Sequence, residues 1–274
     1  MLKIHPIPAF NDNYIWAIIN EQNQEVIIVD AGDAKPVLDF VHQNSLSIRQ
    51  IWVTHHHNDH IGGVAELAQN FPNAQVFAHA DVLPQIGLKN PNQGVTVGEG
   101  SELKAWGDTL NLPLQVWQTA GHTDNHLAFL LTFDKRLHIF CGDTLFRGGC
   151  GRVFTGTIEQ LFESFDRFNE LHDDKTLFYP AHEYTLSNLK FAQSIQPNNA
   201  DIAHAIEMDS KKRDNNQPTL PTTLADERLI NPFMQIIYQP HCDELIASVN
   251  QQLPNTGDEP LAVFSALREL KNRF

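Results

Sequence analysis

The sequence predicts an α/β fold: a β-rich domain over residues 1–182, then a smaller helical domain over 183–274. Three observations predict it. Runs of β-branched and aromatic residues recur along the first part of the chain. Apolar residues at helical spacing fall between those runs, and helical spacing dominates beyond His182.

The elements follow in order. Residues 15–19 and 26–29 are two strands separated by a polar turn, a hairpin pattern, and Asp30-Ala31-Gly32 ends the second. Residues 35–43 have helical spacing. Ile51-Trp52-Val53 reads as a strand, and Gly62-Gly63 precedes a helical pattern through Val64, Leu67, Ala68 and Phe71. Further strands are predicted at 75–78, 114–119, 127–132, 137–141 and 176–179, with a helix over 158–171. In the second region Leu186, Leu189, Ala192 and Ile195 mark a helix over 184–195. Residues 199–213 and 261–274 read as two more, 217–221 as a linker-like break, and 236–259 match no pattern.

Composition narrows the function. The chain has 274 residues, 42% of them apolar, enough for an ordinary packed core. A formal net charge of −14 disfavours nucleic acid, whose nonspecific binding is mostly cationic, and an anionic membrane surface alike. The apolar run near Leu127 to Leu131 is far too short to cross a bilayer, and Met1 to Pro6 holds no signal-peptide core. The three cysteines, Cys141, Cys150 and Cys242, have no zinc-finger or redox spacing. They read as small buried residues in a reducing cytosol, so a cytoplasmic location is expected.

The most informative stretch is Thr54-His55-His56-His57-Asn58-Asp59-His60. In extended backbone, residues two apart point the same way, so His55 and His57 converge while His56 turns away. Asp59 and His60 reach a second point nearby. Imidazole and carboxylate are the donors that zinc, iron and manganese accept, and a pair of such metals is a hydrolytic device. Chance clustering of surface histidines is the bland reading. The position of this cluster between a strand and a helix, where catalytic ligands concentrate, weighs against it.

Two metals call for more ligands. His122, Asp143 and His182 each follow a predicted strand and sit beside glycine or proline, as a tight turn requires. Asp30 also follows a strand and suits a partner that orients a ligand. A lone Asp after a strand is more often a turn residue, and a lone His more often structural. Of the 14 histidines, His5, His42, His79, His138, His172, His204 and His241 carry no such signal. His56 and His126 are expected to bind no metal.

This constellation resembles the five-part pattern of the metallo-β-lactamase superfamily over about residues 1–182. The likeness implies an αββα sandwich with metals at one edge. Within that superfamily the chain is more closely similar to the glyoxalase II (hydroxyacylglutathione hydrolase) family. The matching segments are Asp12-Asn13-Tyr14, 54–63, 119–126, 142–146, Gly149-Cys150-Gly151-Arg152 and His182-Glu183-Tyr184-Thr185. Asn231-Pro232-Phe233 and Arg268-Glu269-Leu270-Lys271 extend the match into the helical region.

The resemblance implies hydrolysis of S-(2-hydroxyacyl)glutathione, with water activated between two divalent ions as nucleophile. The ions would be zinc, or else iron or manganese. His55, His57 and His122 would hold one and Asp59, His60 and His182 the other, with Asp143 shared. Asp59 and Asp143 would be the catalytic carboxylates. Glutathione contacts would fall on Arg152, Tyr184, Arg268 and Lys271, in an enzyme working as a monomer. Phe154 stands where the family has a tyrosine, which removes one hydrogen bond to the peptide.

From spacing alone, Arg268 and Lys271 share a helix face and also suit a solvated C-terminal turn. The run Lys211-Lys212-Arg213 reads as a wet helix end. Rival readings are a persulfide dioxygenase with one iron, a phosphodiesterase, and a noncatalytic metal module. The full second ligand set, the acidic charge and the cysteine-free donor set respectively disfavour them.

Overall fold

A computed structural model describes residues 2–107, 110, 112–239 and 241–274. By compactness the chain divides into residues 1–119 with 125–142, and residues 120–124 with 143–274.

The first unit opens with the antiparallel strands β1 (Leu2–Ala9), β2 (Asn13–Asn20) and β3 (Glu25–Val29). Helix α1 (Ala34–Gln43) crosses to β4 (Ser47–Trp52), which pairs parallel with β3. Short helices α2 (Asn58–Ile61) and α3 (Val64–Asn70) lead to β5 (Gln75–Ala78), and α4 (Leu83–Ile86) leads to β6 (Gly94–Thr96). These strands form one sheet in the order β1-β2-β3-β4-β5-β6. A second, antiparallel set comprises β7 (Glu102–Ala105), β8 (Leu112–Gln118), β9 (Leu127–Phe133) and β10 (Arg136–Gly142).

Side-chain alternation assembles the layers. One face of the first sheet (Ile15, Ala17, Ile28, Ile51) shares a core with Val37 and Val41 of α1 and Val64 and Leu67 of α3. Trp52 faces the other way and stacks on Phe129 of β9, ring centroids 5.2 Å apart, with Phe140 edge-on at 5.9 Å. Helix, sheet and sheet are therefore successive layers. The hairpin predicted at 15–19 and 26–29 is β2–β3. The helix expected from Gly62 to Phe71 is α3 alone, with α2 split off before it, because Gly62 and Gly63 interrupt the turn.

The second unit begins with the small hairpin β11 (Leu145–Phe146) and β12 (Gly149–Cys150). Helix α5 (Ile158–Asn169) starts at a capping box in which Thr157 and Gln160 bond each other's backbone. Strand β13 (Leu177–Pro180), helices α6 (Thr185–Ile195) and α7 (Ala200–Asp214), and β14 (Thr222–Thr223) follow. Helices α8 (Leu224–Ile230), α9 (Pro232–Tyr238), α10 (Asp243–Gln252) and α11 (Pro260–Arg273) complete the chain. The stretch left open at 236–259 thus holds the end of α9 and α10. Phe233 and Phe264, 5.2 Å apart, anchor a buried aromatic cluster with Phe165. Among the described residues no helix is long and apolar enough to cross a membrane.

Candidate metal centre

In the first unit the candidate ligands lie beyond the carboxyl ends of β3 and β4, the edge where open α/β sheets place their sites. His55 is fully buried, and its Nε2 lies 2.9 Å from His57 Nδ1. Two ring nitrogens so close are aimed at one point, as the alternation in the sequence predicts. His57 caps α2, so Asp59 and His60 belong to that helix's first turn. His60 Nε2 lies 3.6 Å from Asp59 Oδ2, and the His55 and His60 ring centroids are 4.0 Å apart.

Asp30 organises this half. It is 3% exposed and holds a left-handed backbone at φ 56°, a strained conformation for a non-glycine residue. Its Oδ2 lies 3.1 Å from His60 Nδ1 and accepts from Thr54 Oγ1 at 2.8 Å, while Oδ1 accepts from Thr54 N. Thr54 Oγ1 in turn lies 3.0 Å from His55 Nδ1. One carboxylate therefore orients His60 directly and His55 through a hydroxyl, leaving Nε2 of each ring for a ligand. Gly32 makes the approach possible, since a Cβ there would stand 1.9 Å from the Asp59 carbonyl oxygen.

In the second unit Asp143 Oδ2 lies 3.6 Å from His122 Nε2 and 3.4 Å from His182 Nε2, and all three residues are buried. His122 Nδ1 bonds the Arg152 carbonyl at 2.8 Å. A carbonyl only accepts, so Nδ1 carries the proton and Nε2 presents its lone pair beside Asp143. A Cβ on Gly151 would stand 2.0 Å from the Asp143 carbonyl, so only glycine lets this loop close. His182 stacks on Tyr184 at 4.7 Å. Glu183 accepts from the Thr219 backbone at 2.9 Å and lies 3.7 Å from Arg213, which fastens the His182 turn. Arg213, read from sequence as part of a wet helix end, thus has a partner beside the site.

Among the described residues, the three groups of side chains spaced closely enough to hold a metal include neither His56 nor His126. His126 instead bonds Thr119 Oγ1 at 3.1 Å and stacks on His55 at 4.9 Å. Cys141 and Cys150 are buried and Cys242 is half-buried, and none of them belongs to those groups.

The proposed glutathione residues differ in character. Arg152 is exposed and Tyr184 is 36% exposed. Arg268 is buried: its guanidinium donates to the Cys150 carbonyl at 2.9 Å and to Asn272 Oδ1 at 3.1 Å. It braces the loop that carries Arg152. Lys271 Nζ donates to Ser187 O at 3.1 Å. Burial, then the nearby Arg268 charge, lower its pKa to about 8, against an opposing pull from Cys150 that exceeds the further lowering by Arg152. Phe154 is 60% exposed with its ring edge-on to His122 at 5.2 Å.

The donors fit a divalent transition metal: imidazoles and carboxylates, no thiolate, and ring nitrogens already oriented by hydrogen bonds.

The comparisons agree. Residues 11–182 match the family model of the metallo-β-lactamase superfamily, and residues 183–274 match that of the hydroxyacylglutathione hydrolase C-terminus. A hydroxyacylglutathione hydrolase of Neisseria meningitidis serogroup C is 43% identical over 273 residues, covering 100% of this chain and 99% of that one. Hydroxyacylglutathione hydrolase 2 of Vibrio vulnificus is 43% identical over 275 residues, covering 100% of both chains. The crystal structure of ETHE1 from Myxococcus xanthus superposes with TM-score 0.60 at 23% identity, covering 97% of this chain and 99% of that one, a likeness of fold.

Proposed function

The chain belongs to the hydroxyacylglutathione hydrolase family within the metallo-β-lactamase superfamily, and from that membership we infer its reaction: it hydrolyses S-(2-hydroxyacyl)glutathione. The preferred substrate is S-D-lactoylglutathione, which yields glutathione and D-lactate as the last step of methylglyoxal removal. The observation that supports this most is the donor set itself. Buried imidazoles face carboxylate oxygens at 3.4–3.6 Å in each unit, with His122 Nδ1 bonded to the Arg152 carbonyl and His60 Nδ1 lying 3.1 Å from Asp30 Oδ2.

We assign His55, His57 and His122 to one divalent ion, Asp59, His60 and His182 to a second, and Asp143 to both. Zinc suits these donors, and iron or manganese is compatible. Such ions, when bound, supply a water of lowered pKa and polarise an acyl oxygen. The chain's part is to hold the ligands rigid: Asp30 orients His60 and, through Thr54, His55, and the Arg152 carbonyl keeps His122 in one tautomer. The catalytic carboxylates are Asp59 and Asp143. Arg152, Tyr184 and Lys271 bind the glutathione moiety, with Arg268 bracing the Cys150–Gly151 loop as the fourth member. Residues 183–274 thus act as the glutathione-binding domain of a monomeric, cytoplasmic enzyme that needs neither nucleic acid nor membrane.

Metal-replete protein is expected to release thiol from lactoylglutathione, and a chelator is expected to abolish that release. A thioester left intact by protein of verified metal content would overturn the reading. Oxygen uptake with glutathione persulfide would point instead to a dioxygenase.

Lys271→Ala is expected to raise KM roughly tenfold, the worth of one charge-assisted hydrogen bond, with kcat and metal content unchanged. In the wild type the charge is present below about pH 8 and lost above it. KM is therefore expected to climb as pH rises through that value, and the climb is absent in the variant. A KM indifferent to the substitution returns Lys271 to a helix-end role.

A further inference from the structure

Asn13 is the first residue of β2 and is 6% exposed. Its Nδ2 donates to Asp59 Oδ2 at 3.0 Å, across 46 residues of sequence. That same oxygen is the one 3.6 Å from His60 Nε2. Two donors bound tetrahedrally to one cation at about 2.0–2.1 Å stand roughly 3.3 Å apart, so the pair is close to a working separation.

The Asp59 side chain is 40% exposed, and burial alone does not immobilise it. An exposed carboxylate samples several rotamers, and ordering it costs entropy. The amide of Asn13 is a buried, fixed donor that selects one of them. The turn that delivers Asn13 is tight: Ala9 pairs with Asn13, so Phe10, Asn11 and Asp12 alone reverse the chain. Phe10 does this at φ 50° with its side chain 59% exposed. Backbone strain of that kind costs about 1–3 kcal/mol and persists where surrounding structure holds it in place.

We propose that Asn13 is a positioning residue, whose side-chain amide holds the Asp59 carboxylate so that its Oδ2 and His60 Nε2 converge on one divalent cation. The proposal deepens the assignment of Asp59 and His60 as ligands and rests on it. Asn13 is not itself assigned as a ligand. It acts through Asp59.

The experiment measures zinc affinity and stoichiometry by competition with a chromophoric chelator, for wild type, Asn13→Ala and the near-isosteric Asn13→Leu. Both variants are expected to bind one of two zinc equivalents about 10–100-fold more weakly. Circular dichroism should show an unchanged fold, and kcat should fall at constant KM for the thioester. Wild-type zinc affinity in either folded variant overturns the proposal. Asp59→Asn separates the two layers of inference. If it loses an equivalent while the Asn13 variants do not, only the positioning role falls; if it retains both, the ligand assignment falls first. Should neither Asn13 variant fold, the side-chain amide of Asn13 in the wild type decides by NMR. Slow exchange and a shift on adding zinc support the proposal, and fast exchange with no shift refutes it.

Discussion

Turnover by the Asp143→Ala variant is expected to fall by more than about 100-fold, in the range seen when a charge-stabilising group is removed. Bound metal should fall with it. The carboxylate is nearly buried, and its Oδ2 stands 3.6 Å from His122 Nε2 and 3.4 Å from His182 Nε2. Alanine leaves two oriented imidazoles without the anion that balances a cation between them. The fold should survive, because Asp143 contributes no large apolar surface and Gly151 still packs against its carbonyl. Metal analysis and thiol release on the same preparation check this. Normal turnover in the folded variant would discard Asp143 as the shared ligand.

The largest loss of stability is expected from Arg147→Met. Arg147 lies in the turn between β11 and β12, where its Nε donates to Asp209 at 2.7 Å and its Nη1 to Thr222 at 2.9 Å. Glu227, fully buried alongside, accepts from Gly148 N at 3.0 Å, Asn231 Nδ2 at 2.8 Å and Thr222 Oγ1 at 2.6 Å. Removing the guanidinium leaves buried Asp209 with Lys212 Nζ at 3.1 Å as its remaining ion-pair partner and takes the nearby positive charge from Glu227, a change that costs about 3–5 kcal/mol. For a domain of this size that is roughly 6–20 °C in Tm. Adding Asp209→Leu to Arg147→Met should recover part of the loss, since an apolar pair leaves fewer charges unpaired. A Tm within a degree of wild type for Arg147→Met would show that the cluster contributes nothing.

The same cluster sets a pH dependence. Burial pushes the Glu227 carboxyl up to about 7 from 4.5, against the attraction of Arg147 and of its three hydrogen-bond donors. Between those values the folded chain holds a proton that the unfolded chain has released. By linkage, its contribution to stability is complete below pH 4.5 and declines as pH rises through about 7. Glu227→Gln, which does not titrate, should lack that decline when urea midpoints are compared at about pH 5 and 8.

Where periodicity was long, the sequence was enough. Predicted helices over 35–43, 158–171, 199–213 and 261–274 correspond to α1, α5, α7 and α11, each with a capped start or an apolar stripe. Strand β1 was unreadable because Pro6 and Pro8 interrupt it. The structure tolerates them because β1 is an edge strand bonded only to β2 within its sheet. Helix α10 buries only Leu245 and Val249, too few apolar positions to register as a period.

The sequence by itself singled out the candidate ligands in this protein, because H-x-H-x-D-H and the strand-end His122, Asp143 and His182 are chemistry written locally. Alternation alone was enough to turn His56 aside and bring His55 to His57. What holds those groups still was decided only by tertiary structure. Asp30 reaches His60, Asn13 reaches Asp59, and Arg147 reaches Asp209 across 30, 46 and 62 residues of sequence respectively. Such pairings carry no periodic signal, because a hydrogen bond depends on where two side chains end up and not on how far apart they lie in sequence.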